Sequence, residues 1–163
     1  MCRASRFREG FQLEERRRPT KPKASSPKVA ARMRAVRVAN TVPESIVRRV
    51  VHSMGFRYRV CTKSLPGRPD LANITRGWCI FVHGCFWHGH VCRRGRRPKV
   101  NVPFWADKVV SNRARDAAVE EELRQRGFRV LVVWQCELDD PRHLRRRLAR
   151  FLEATRKGGD AVT

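Results

Sequence analysis

The sequence predicts an α/β domain in which a mixed sheet is flanked by helices and braced by a zinc site. Three observations predict it. Periodicities alternate in the order helix, three strands, helix, strand, helix. The last strand, Phe128–Trp134 (F-R-V-L-V-V-W), is almost continuously apolar, as a central strand is. After the third strand comes H-G-C-F-W-H-G-H-V-C, His83–Cys92, ten residues with three histidines, two cysteines and two aromatics. A meander of strands joined by a helical crossover to a further strand makes the sheet mixed.

The elements follow in order. Residues 1–30 include R-R-R-P-T-K-P-K-A-S-S-P-K, hold no hydrophobic period and read as a disordered basic tail. The domain is placed at 31–156, with 157–163 a disordered end. Asn40-Thr41-Val42-Pro43-Glu44 starts a helix: Thr41 can cap it, and Pro43 and Glu44 suit its first turn. Ile46, Val47, Val50, Val51 and Met54 continue at helical spacing, and Gly55 stops them. Phe56–Val60 alternates apolar and basic, the pattern of a half-buried strand. A turn through Pro66-Gly67 leads to a second strand over Pro69–Asn73, and Trp78–Val82 makes a third. Pro103 opens a long helix to Arg126, with Val109, Ala117, Val119 and Leu123 among its apolar positions. A last helix covers Pro141–Thr155, where Leu144, Leu148, Phe151 and Leu152 form one apolar face.

Charge narrows the function. Lys and Arg number 37 against 15 acids, a formal +22, within a chain of 163 residues. Such a surface favours a polyanion, because neutralising phosphates releases condensed counterions. Nucleic acid is therefore the expected partner. No apolar run approaches the roughly 20 residues of a membrane span, and the basic N-terminus lacks a signal peptide's apolar stretch. A cytoplasmic protein with no membrane partner is expected.

The chain has six cysteines. In a reducing compartment, cysteines grouped with histidines are metal ligands more often than disulfide halves. Cys85, His90 and Cys92 are spaced C-x4-H-x-C, and Cys136 follows the last strand in V-L-V-V-W-Q-C. Together they make a tetrahedral set for structural Zn²⁺. Cys61 and Cys79 flank strands and are assigned to the core. R-R-G-R-R-P-K after Cys92 reads as a flexible basic loop able to touch phosphates.

H-G-C-F-W-H-G-H-V-C, preceded by S-L-P-G-R-P-D at 64–70, resembles the very short patch repair endonucleases. The resemblance extends from Arg32 to Leu138. It takes in R-M-R-A-V at 32–36, N-T-V-P-E at 40–44, F-W-x-x-K at 104–108, N-x-x-R-D at 112–116 and the strand ending in W-Q-C. It implies a restriction-endonuclease-like fold and a monomer that nicks one strand beside the T of a T:G mismatch. Such mismatches arise by deamination of 5-methylcytosine. It further implies duplex DNA as substrate, with mismatch-repair proteins and a repair polymerase as partners. Carried over residue by residue, Asp70 is the Mg²⁺-binding carboxylate and the Val82 carbonyl a second ligand. His88 is the histidine that activates water, Asp116 its orienting carboxylate and His83 a histidine beside the scissile phosphate. Glu44 is an acid near the active site, and Phe86, Trp87 and Trp105 are aromatics that intercalate beside the mismatch.

The chemistry is coherent without the family. Phosphodiester hydrolysis needs a positioned water, a base and charge neutralisation, which a carboxylate-held Mg²⁺ and a histidine can supply. The common D…E-x-K nuclease pattern is absent: no acid follows Asp70 until Asp107. That gap suits a histidine-based variant. Two alternatives stay open at this point. A restriction-like endonuclease would cut unmismatched duplex as well. A non-catalytic zinc-stabilised DNA-binding protein would never nick.

Overall fold

The computed structural model describes residues 26–36 and 39–156. Residues 1–25 of the expected tail, and the expected disordered end at 157–163, lie outside the described residues. Helix α1 (Pro27–Arg34) begins at Ser26, whose hydroxyl accepts from the Val29 N–H at 3.3 Å, and it buries none of its residues. Sequence periodicity does not reveal it because it has no apolar stripe. Its Ser-Pro start defines it locally.

Helix α2 (Val42–Ser53) begins at Thr41 as expected. The Thr41 hydroxyl and the Asn40 N–H both donate to the Glu44 carboxylate at 2.8 Å, and the Glu44 N–H returns to Thr41. These contacts satisfy donors that a helix start would otherwise leave orphaned.

The sheet has three strands in spatial order β1-β2-β3. Strand β1 (Leu71–Asn73) pairs antiparallel with β2 (Trp78–His83), and β2 pairs parallel with β3 (Arg129–Trp134). Helix α3 (Val102–Gln125) crosses between the parallel pair, and α4 (Pro141–Arg156) follows β3 through a 3₁₀ turn, Gln135–Asp139.

The strand expected over Phe56–Val60 does not form. Only Arg59 pairs with Ala72, through hydrogen bonds of 2.7 and 2.9 Å. The reason is the partner. Strand β1 is three residues long, closed on one side by Pro69, which lacks an N–H, and on the other by the turn through Gly77. A side chain replaces part of the missing ladder, with Asn73 donating to the Arg57 carbonyl at 2.9 Å. Phe56 packs into the core instead.

Strand β2 is buried on both faces, so its side chains alternate between two cores. Trp78 and Ile80 join Val47 and Val51 of α2, Val133, and Leu144, Leu148 and Leu152 of α4. Cys79 and Phe81 join Leu65, Ala72 and Leu123 of α3. Phe151 is partly buried beneath the Arg129 guanidinium. Ala117 is exposed, contrary to the expected apolar face of α3. The buried stripe runs instead through Val109, Asn112, partly buried Asp116, partly buried Val119 and Leu123. Two polar residues thus interrupt an apolar register, which hides the stripe in the sequence. Cys79 is fully buried as expected, whereas Cys61 is partly exposed at a bend with positive φ.

Leu148 has no exposed surface and joins α4 to the sheet. Leu148→Ala is expected to cost about 2–5 kcal/mol in chemical denaturation. Val110→Ala, on the outer face of α3 at 64% exposure, should stay within about 0.5 kcal/mol.

Candidate active site

Strands β2 and β3 end side by side, with His83 opposite Trp134. The chain leaves β2 there as the loop 84–92 and leaves β3 there as the 3₁₀ turn that carries Cys136. Cys85, His90, Cys92 and Cys136 consequently meet, with all their ligand-capable atoms within 4.8 Å of one another. The Cys136 N–H donates to Cys85 Sγ at 3.3 Å, and Cys136 Sγ lies 3.5 Å from His90 Nδ1. Trp134 stacks on His90 with ring centroids 4.4 Å apart. Hydrogen bonding to His90 is the main cause that holds the Cys92 thiol down at about 6. Burial pushes Cys136 up to about 12 and Cys85 upward. Three thiols and an imidazole this close together form a group able to hold a metal ion.

Gly95 shows how tightly the loop closes. It is buried, and a Cβ there would overlap the His90 carbonyl oxygen. The first part of the expected flexible loop is therefore a packed 3₁₀ turn, Arg93–Gly95, and Arg94 pairs with Asp139 at 2.6 Å.

The same loop delivers His88 to a second cluster. His88 Nδ1 is hydrogen-bonded to Asp116 Oδ2, and the His88 ring stacks on His83 at 3.9 Å with the planes 7° apart. Asp116 also accepts from Arg115 at 3.2 Å. Burial first, and then the neighbouring His88, lower His83 to about 4, so it is neutral at pH 7. His83, His88 and Asp116 also lie within 4.8 Å of one another by their ligand-capable atoms.

Asp70 sits just before β1 and accepts the Val82 N–H at 2.7 Å, which brings its carboxylate against the β2 backbone. Burial is the main cause that raises it to about 6, and the Glu44 charge adds to the rise. Glu44 itself is 4% exposed. Its oxygens are taken by Asn40, Thr41 and Arg48, the last at 3.0 Å. It therefore acts on Asp70 through charge, with its own oxygens already occupied by the start of α2.

Phe86, Trp87 and Trp105 form one partly exposed cluster with Phe104, with neighbouring ring centroids 5.0 to 6.0 Å apart. They pack on one another at the start of α3, away from both cores.

Two residues that hold this arrangement have no role in the sequence reading. The Asn112 side chain, 6% exposed, donates to the Trp87 carbonyl at 2.7 Å. Arg113 Nε donates to the His88 carbonyl at 2.9 Å, and a second guanidinium nitrogen donates to the Gly89 carbonyl. The clamp needs Gly89, which has φ +63° and whose added Cβ would strike Val109. The signal for Asn112 was its place in the apolar stripe of α3, at i−4 from Asp116.

The Asp70 geometry predicts a pH effect. Its folded pKa of about 6 lies above the ordinary 3.8, so its contribution to stability is full below 3.8 and lost as pH rises through 6. Asp70→Asn keeps the shape and removes the buried charge. In Mg²⁺-free buffer it should be more stable than the wild type at pH 7.5 by about 1–3 kcal/mol. That difference should close between pH 6 and pH 4 in thermal melts.

Comparison with known proteins agrees with the geometry. The sequence profile described as DNA mismatch endonuclease Vsr matches residues 23–94. The type II nicking enzyme V.XorIIP of Xanthomonas oryzae pv. oryzae is 50% identical over 121 residues, 74% of this chain and 89% of the relative. The type II nicking enzyme V.NmeAIP of Neisseria meningitidis serogroup A is 44% identical, over 69% of this chain and 80% of its own length. The DNA mismatch endonuclease Vsr of Escherichia coli is 39% identical, over 65% of this chain and 68% of its own. With its histidines, carboxylates and Cys/His cluster gathered at one strand end, the chain belongs to the Vsr family of DNA mismatch endonucleases and is a phosphodiester-hydrolysing DNA endonuclease.

Proposed function

We propose that this endonuclease nicks one strand of duplex DNA beside the T of a T:G mismatch, using Mg²⁺ for catalysis and Zn²⁺ for structure. The observation that carries the reading is the fixed pair His88–Asp116, stacked on a neutral His83 at the strand end that Asp70 borders. In this reading the protein acts as a monomer on a restriction-endonuclease-like core spanning residues 31–156.

Asp70 and the Val82 carbonyl would hold Mg²⁺, an ion that takes one or two carboxylates and keeps much of its water. One partly buried carboxylate beside a strand backbone fits that habit, and Glu44 is too fully engaged to add a second. When bound, the ion neutralises charge at the scissile phosphate. The protein's own groups do the rest. Asp116 engages His88 Nδ1, which leaves Nε2 to take the proton of the attacking water. Asp116 then balances the imidazolium charge. His83, kept neutral by burial, offers a hydrogen bond to a phosphate oxygen without repelling the charged His88.

Cys85, His90, Cys92 and Cys136 would hold Zn²⁺ as a closed four-ligand site, which fixes the loop rather than reacting. Phe86, Trp87 and Trp105 would enter the base stack. Unstacking costs a few kcal/mol per step and least at a mismatch, so the wedge discriminates by energy.

The test is a nicking assay with Mg²⁺ on duplexes that differ only in one T:G or C:G pair, in several flanking contexts. Cleavage confined to the T strand of the mismatch is expected. His88→Ala should slow it about 10²–10⁴-fold with affinity retained, and Asp70→Ala should abolish it with binding largely intact. Equal cutting of both duplexes would overturn the mismatch reading, and unchanged turnover in Asp70→Ala would overturn the metal-ligand assignment.

A further inference from the structure

The outer face of α4 forms an open groove of about 340 Å³ lined by His143, Arg146, Arg147 and Arg150. The opposite face of the helix carries the buried Leu144, Leu148 and Leu152, so packing fixes which side chains line the groove. Arg147 alone among the four is matched by a carboxylate: it pairs with Glu137 and donates to the Val132 carbonyl at 2.9 Å. No hydrogen bond or ion pair joins the side chain of Arg146 or Arg150 to another described residue. Asp140 borders the same face: the His143 N–H donates to it at 2.9 Å, the main cause that lowers its pKa, and the His143 and Arg146 side chains both lie close enough to lower it further by charge.

We infer that this groove is a second phosphate-binding surface, which seats the backbone of the substrate duplex outside the segment gripped by the aromatic wedge. The inference rests on the reading of the protein as a DNA nuclease. Three features favour DNA over an acidic protein partner. First, the lining is wholly basic, whereas the core of a protein interface is depleted in charge and anchored by aromatic side chains. Second, His143, Arg146 and Arg150 stand at i, i+3 and i+7, about 10 Å along the helix. That is the axial rise of about three phosphates of one strand. Third, the groove adjoins the active site: Arg147 lines it and pairs with Glu137, the neighbour of Cys136. Glu137 also accepts the Trp134 N–H at 2.9 Å, and the Trp134 ring stacks on His90. A duplex seated over the strand ends would reach the groove across the turn Gln135–Asp139, where Arg94 pairs with Asp139 and Arg147 with Glu137.

The test uses the full chain with Arg146 and Arg150 both changed to alanine, sparing Arg147 because it braces Glu137. Affinity for a labelled T:G duplex and its T:A counterpart is measured by fluorescence anisotropy between 50 and 200 mM salt. Each lost phosphate contact lowers the slope of log K against log salt by about 0.9. The double variant should therefore lose about 1.8 from the slope, making it about tenfold less salt-sensitive across that range. The loss should be equal on both duplexes, leaving mismatch preference unchanged, and the corresponding double lysine variant should restore the slope. An unchanged slope in a folded alanine variant that still binds overturns the inference and leaves the nuclease reading intact. If the wild type binds neither duplex, both fall together.

Discussion

The loop that follows β2 has almost no regular structure, yet it carries His88 and three members of the Cys/His cluster, Cys85, His90 and Cys92. Its own backbone hydrogen bonds, from Trp87 and His88 to Gly84 and from His90 to Cys85, turn the chain but do not tie it to the sheet or to α3. It is held here from two directions. The Cys/His cluster ties it to the end of β3 through Cys136, and Asn112 and Arg113 of α3 grip the carbonyls of Trp87, His88 and Gly89. Because β2 and β3 are parallel and in register to His83 and Trp134, both anchors sit at the same edge of the sheet. The geometry of the candidate site therefore follows from strand register, transmitted through the Cys/His cluster, together with the grip of α3.

Charge is arranged by the same logic. In a chain of net +22, the three carboxylates at the site each have a distinct environment. Asp116 meets His88, Glu44 is absorbed by the start of α2 and by Arg48, and Asp70 is left with one backbone donor and a raised pKa. The group with the least local compensation is the one suited to receive a cation. Burial keeps His83 uncharged against His88, so two imidazoles can stack where two imidazolium ions would repel.

Much of this was legible in the sequence, for identifiable reasons. Helices α2 and α4 and strands β2 and β3 have unbroken periods, and the metal-capable residues are crowded into one short stretch with the W-Q-C strand end as complement. The strand over Phe56–Val60 failed because alternation reports a half-buried segment, not the presence of a partner long enough to pair with it. Helix α1 shows no hydrophobic period because it buries nothing, and only its Ser-Pro start marks it. Arg113 escaped because a side chain that binds carbonyls some 25 residues away creates no local pattern, and Asn112, although it stands in N-x-x-R-D, shows its Trp87 contact only in the fold. The apolar face of α3 was misjudged at Ala117 for a related reason: its true stripe passes through two polar residues recruited to the site.

In the proposed reading, a metal ion held by the Cys/His cluster orders the loop that positions the histidines. Hydrogen exchange measured by mass spectrometry, on the protein with and without a zinc chelator, tests it most directly. Amides of residues 85–95, including the His90 N–H bonded to the Cys85 carbonyl at 2.9 Å, are expected to lose protection on chelation while the β2–β3 ladder keeps its own. Unchanged protection of that loop after the metal has been removed would contradict it.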